Sequence, residues 1–193
     1  MSLLTTSEVA TFLGIDDSTP GLQEAVDQAE SLIAAKLGLE TLELNSYVDE
    51  ERTFYYRSQQ MVLSHGPIRE VTSFEYDGDD KLEDIVVGPS GWSLRWDEPF
   101  LRDFDRARGF ERFKKAVVSY SAGWTDDSGE YPLPTQVKEY VKAMSGLLLN
   151  NLLASGVYDT KLGDMTVKIQ RETLEKNLEV YEDALRSHAR PST

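Results

Sequence analysis

Apolar residues recur at helical spacing near both ends of the chain and crowd into short runs between them. Thr5-x-x-Glu8 has the spacing of a capping box; Val9, Phe12 and Leu13 follow on one face, and Gly14 is placed to end a short helix. Thr19-Pro20 reads as an N-cap with proline at the first helical position. Leu22, Ala25, Val26, Ala29, Ile33 and Leu37 then predict a helix over 20–37, closed by Gly38. After Pro132-Leu133-Pro134, the stripe Val137, Val141, Met144, Leu148 and Leu152 predicts a long helix stopping at Ser155-Gly156. Beyond the Leu162-Gly163-Asp164 turn, Met165, Val167 and Ile169 alternate with polar residues, as in a half-buried strand near 164–170. Leu174, Leu178, Tyr181 and Leu185 form the narrow seam of an amphipathic helix over 173–187, and 187–193 reads as a flexible tail.

The middle has the composition of strands. Arg52–Tyr56, Met61–Leu63, Val71–Tyr76, Ile85–Val87, Trp92–Trp96 and Ala116–Tyr120 are short, rich in β-branched and aromatic residues, and separated by turn clusters such as His65-Gly66-Pro67 and Gly88-Pro89-Ser90-Gly91. They predict a meander of antiparallel strands. The expected fold is therefore α+β: a helical scaffold from the N- and C-terminal segments (1–45 and 132–186) around a β-rich antiparallel insertion at 46–122. Trp92, Trp96 and Trp124 sit near strand ends and are expected in the core.

Composition narrows the function. With 193 residues, 40% hydrophobic and 28% charged, the chain suits one domain of ordinary globular type. No run approaches the ~20 apolar residues of a membrane span, and no export signal is visible at the N-terminus. The absence of cysteine removes disulfides, thiolate metal sites and cysteine nucleophiles and fits a reducing cytoplasm. A net charge of −14 is a poor basis for gripping DNA, whose affinity comes from neutralising phosphates with Lys and Arg.

Candidate chemistry is sparse. The two histidines, His65 and His188, are far apart in sequence, and no nucleophile elbow, zinc-binding H-E-x-x-H, P-loop or dinucleotide fingerprint occurs. The acidic stretches Asp77–Asp84 and Asp126–Glu130 lack the ligand ladder of a calcium loop and carry the residues turns demand. The one locally basic stretch, 102–115, interleaves aromatics with arginines. Phe104, Arg106, Arg108, Phe110 and Arg112 are its candidate interface residues, since Arg and aromatics are enriched where proteins meet. Leu178, Tyr181, Leu185, Arg186 and Arg190 are a second candidate set, at the amphipathic helix and basic tail.

The order of these pieces resembles the head–tail connector (adaptor, head-completion) proteins of tailed bacteriophages. Leu3-Leu4-Thr5-Thr6-Ser7-Glu8-Val9, leading through Leu13-Gly14-Ile15-Asp16-Asp17 to Ala34-Ala35-Lys36-Leu37-Gly38, resembles their opening. Val117–Trp124 followed by Tyr131-Pro132-Leu133-Pro134 is similar to their strand–Gly-aromatic–Pro–helix junction. Met61–Val71 is similar to the strand–Pro–strand element of longer members, and Leu162–Val167 to the turn before their last helix. The long acid-rich region at 75–112 departs from the pattern.

The resemblance implies a single connector domain, 1–193, assembled in the host cytoplasm and located in the virion at the head–tail interface. It implies a structural protein, with no catalysis, cofactor or metal. Its partners would be the portal protein, neighbouring copies in a ring (dodecameric in most members), a tail-completion or tail-terminator protein, and DNA passing through without sequence-specific binding; no membrane is involved. Two other readings stand beside it. One is a tail-completion or tail-terminator protein. The other is a β-rich ligand-binding module with helical flanks, which requires at least one indole exposed in a concave site.

Overall fold

The computed structural model describes residues 3–55, 59–76, 78–96, 113–154 and 171–189. The fold is α+β, with helices from both ends of the chain and antiparallel strands in the middle. Two compact units form: the residues up to Glu43 together with Trp124–Ala189, and Leu44–Gly123.

The first unit holds α1 (Thr6–Leu13), α2 (Leu22–Leu37), α3 (Thr135–Ala154) and α4 (Arg171–His188). The predicted capping box is realised: Glu8 N–H donates to Thr5 Oγ1 (3.2 Å), and Thr5 N–H donates back to Glu8 Oε2 (2.8 Å). Gly14 and Gly38 close α1 and α2 in the left-handed region (φ 68° and 74°), where a β-carbon is penalised. The start of α2 differs from the prediction. Thr19 turns its hydroxyl to the Asp16 carbonyl (2.6 Å) and its own carbonyl accepts from Leu22 N–H, so it closes a turn rather than capping a helix. Gly21, at φ 81°, is the N-cap.

α3 departs from a single stripe. Val137 and Val141 are buried as predicted, but so are Tyr140, Ala143, Ser145 and Leu149, while Met144, Leu148 and Leu152 are half-buried. The reason is that α3 packs against α1, α2 and α4, so more than one side of it is covered. Gly146 makes this possible: a β-carbon there would lie 2.7 Å from Leu13 Cδ2 and 2.8 Å from Leu174 Cδ1. The strand predicted near 164–170 and residues 190–193 of the tail lie outside the described residues. Residues 187 and 188 belong to α4.

The second unit holds two antiparallel sheets. One has the order β1 (Asn45–Tyr55), β7 (Phe113–Ala122), β3 (Ile68–Tyr76), β4 (Asp79–Asp80). The other has the order β2 (Gln60–Val62), β6 (Ser93–Trp96), β5 (Ile85–Val87). The strands are antiparallel as predicted, but they do not form a meander: β7, last in sequence, inserts between β1 and β3. Alternation along β7 explains its central place. Ala116, Val118, Tyr120 and Ala122 all face the core, where they meet Phe54, Phe74, Tyr76, Leu94 and Trp96. Phe54 packs edge-on to Trp96 at 5.0 Å between centroids.

Candidate functional site

A convergence of polar side chains grows from an irregularity in β1. Tyr47 pairs with Tyr120 and Glu50 with Val118, so Val48 and Asp49 together oppose Ser119. This is a β-bulge. In a regular strand, residues three apart face opposite sides. The extra residue cancels that alternation and brings Tyr47, Glu50 and Tyr120 together. The bulge places Asp49 at φ 53°, unusual for a residue with a β-carbon. Its N–H is held by Ser119 Oγ (3.1 Å).

Glu50 is the hub. The Tyr120 hydroxyl donates to Oε2, Arg52 Nε–H donates to Oε1, and Ser64 N–H donates to Oε1 at 3.1 Å. His65 closes the cluster: its N–H lies 3.3 Å and its Nδ1 3.2 Å from the Tyr120 hydroxyl, and its ring stacks on Tyr47 with centroids 3.8 Å apart and planes 6° from parallel.

Burial alone would raise the Glu50 carboxyl. The Tyr120, Arg52 and Ser64 hydrogen bonds, together with the Arg52 charge, overcome it and hold the group below the usual carboxylate range. Burial and the adjacent Glu50 carboxylate push the Tyr120 phenol far above its ordinary value. A proton-transfer pair is tuned toward neutrality; here the acid is driven down and the phenol up. These hydrogen bonds hold β1, β7 and the residues at 64–65 together.

A pH dependence follows. Because the folded state depresses Glu50, its contribution to stability is present above the unfolded value near 4.5 and is lost as pH falls through the lower folded value. Denaturant midpoints measured between pH 7 and pH 3 should fall more steeply for the native chain than for Glu50→Gln below about pH 4.5. Parallel curves would remove Glu50 from the acid-sensitive set.

In the helical unit, Lys36 Nζ donates to Tyr140 Oη and to Glu182 Oε1, each at 2.9 Å, tying α2 to α3 and α4. His188 sits edge-on to Trp124, with centroids 6.4 Å apart.

Of the candidate interface residues singled out from sequence, the four that are described all lie on α4. Phe104, Arg106, Arg108, Phe110, Arg112 and Arg190 lie outside the described residues. Leu178 and Tyr181 are half-buried on α4. Leu185 is fully buried within its own unit, and Arg186 is exposed beside Asp183 (3.5 Å). The acidic turns use part of their oxygen in closing themselves: Asp80 Oδ1 accepts from Leu82 N–H (3.0 Å), and Asp126 Oδ1 from Ser128 N–H (3.0 Å). Trp92, Trp96 and Trp124 are only 1%, 3% and 2% exposed, so no stacking platform can be built from them and the ligand-binding-module reading loses its surface. The Glu50 hub was missed because its partners stand as far as 70 positions away in sequence. The one local signal was the acidic run Asp49-Glu50-Glu51 inside an aromatic strand.

No protein-family model matches the sequence, and no curated protein matches it. Among solved structures, the chain is similar over 99% of its length to a chain, itself 92% covered, in a structure described as the neck of an empty GTA particle computed with C6 symmetry. The TM-score is 0.50 at 10% identity, so what the two chains share is a fold.

Proposed function

We propose that this chain is a structural virion protein, a head–tail connector (adaptor) subunit that forms a ring beneath the portal, joins the DNA-filled head to the tail and lines the DNA path. The observation that carries the reading is that nearly the whole chain follows the fold of a chain in the neck of a GTA (gene transfer agent) particle. The sequence resemblance to phage connectors points the same way. The net charge of −14 suits a channel through which DNA slides without adhering. The Glu50–Tyr120 pair, its carboxyl held low by hydrogen bonds and its phenol pushed up by burial, favours a holding role over catalysis.

A ring of more than two members needs two different patches on each subunit. Like copies carrying −14 repel one another at low salt, so contacts form when a template brings the copies together. The purified chain should therefore sediment as a monomer or weak oligomer, and electron microscopy should find it as a ring on the cognate portal protein. A tight two-fold dimer, or firm binding to duplex DNA at physiological salt, would overturn the reading.

A further inference from the structure

The Tyr120 phenol carries one hydrogen. Glu50, held as a carboxylate, can only accept, so the hydrogen between Tyr120 and Glu50 Oε2 comes from the phenol. The tyrosine oxygen then has only lone pairs left for its other neighbours. One is the His65 N–H at 3.3 Å; the other is His65 Nδ1 at 3.2 Å. Two lone pairs facing each other at that distance repel, so Nδ1 must carry a hydrogen. The nearby Glu50 Oε2, 3.6 Å from Nδ1, also favours a hydrogen on that nitrogen.

We propose that Tyr120 is a one-way hydrogen-bond relay. It accepts twice from His65, fixing the imidazole with its proton on Nδ1, and donates once to Glu50. In this way it straps the turn at 63–67 to the β1 bulge. The elements joined are far apart in sequence: β1 supplies Tyr47, Glu50 and Arg52, β7 supplies Tyr120, and the turn between β2 and β3 supplies Ser64 and His65. The Tyr120 hydroxyl, Arg52 Nε–H and the Ser64 and His65 backbone N–H groups each have an acceptor, and the stacked Tyr47 ring holds the imidazole plane in place.

The strap has a mechanical role. Asp49 at φ 53° costs free energy and persists only where its surroundings over-determine it. Glu50 on one side and Ser119 on the other supply that constraint. Beside Asp49 in the bulge is Val48, 73% exposed and the most exposed large apolar side chain among the described residues. The relay therefore fixes where this side chain stands at an edge of the four-stranded sheet.

The test is the position of one hydrogen. Long-range proton–nitrogen correlation spectra of the ¹⁵N-labelled full-length protein at mildly alkaline pH separate the two ring nitrogens, and His188→Gln assigns the second histidine. His65 is expected to carry a proton on Nδ1, whereas free neutral histidine prefers Nε2. A bare Nδ1 in the native protein overturns the proposal, whatever the variants do. Tyr120→Phe removes the acceptor of the His65 backbone N–H and should speed exchange of that amide about tenfold, the loss of roughly one hydrogen bond. A folded Tyr120→Phe protein that keeps this amide protection would overturn it equally. If that variant fails to fold, the native spectrum decides alone.

Discussion

Trp92→Ala is expected to destabilise the β-rich unit by about 3–5 kcal/mol, the largest loss of any single truncation considered for this chain. The indole is 1% exposed, so its removal deletes a large buried apolar surface and leaves a cavity. Collapse into that cavity is restricted on two sides. Trp92 O accepts from Leu63 N–H (3.1 Å), which fixes the backbone. The ring lies where a side chain on Gly66 would be, since a β-carbon there would come within 2.6 Å of indole Cδ2 and Cε3. The turn at 63–67 thus rests on the indole, and the His65 strap should loosen with it. Urea unfolding followed by circular dichroism gives the free energy. A loss under about 1 kcal/mol would mean that the site refills and that Gly66 does not depend on Trp92.

Leu185→Ala should cost about 2–5 kcal/mol and release α4. Along this helix, Leu174 and Leu185 are the fully buried side chains among those described, and Leu178 and Tyr181 are half-covered. Most of a helix's stability in a protein comes from packing its amphipathic face rather than from propensity, so the order of this 18-residue helix comes from docking. The Lys36–Glu182 pair cannot replace a lost leucine. Both side chains are about 40% exposed, and such pairs contribute about 0–1 kcal/mol. Hydrogen exchange should therefore show α4 amides losing protection while those of α3 keep theirs. Equal protection in α4 before and after the substitution would show that other contacts hold it.

These two sites differ in how well they could be read in advance. The seam of α4 stands in the sequence at four positions of one helical face, and the structure keeps it. What the spacing left open was the surface it meets. That depends on Gly146 letting α3 come close to Leu174, and a glycine inside a helical pattern does not announce its neighbour. The start of α2 was misread for a local reason: Thr19 has an acceptor in the Asp16 carbonyl, and that bond competes with capping.

The strands divide the same way. The strand at Ala116–Tyr120 was legible, and so was the antiparallel character. The order of the strands was not, because pairing β1 with β7 closes a loop of about sixty residues, and short-range patterns carry no term for that.

What each segment can bury follows from neighbouring residues alone: the capping box of α1, the amphipathic faces, the short β-branched and aromatic strands, and the α+β class that follows from their order. Those properties depend on residues within a turn or two of one another, and the chain carries them wherever it goes. The tertiary structure decided which buried faces meet. It put β7 between β1 and β3, covered α3 on more than one side, and spent Leu185 on the interior. It also decided the polar cluster. Glu50, His65 and Tyr120 are unremarkable as separate letters. They become a hub only when a bulge at Val48-Asp49 shifts the alternation of β1 and turns Glu50 toward a tyrosine 70 positions away. Burying a carboxylate is costly unless donors converge on it, and that convergence is a property of the assembled sheet.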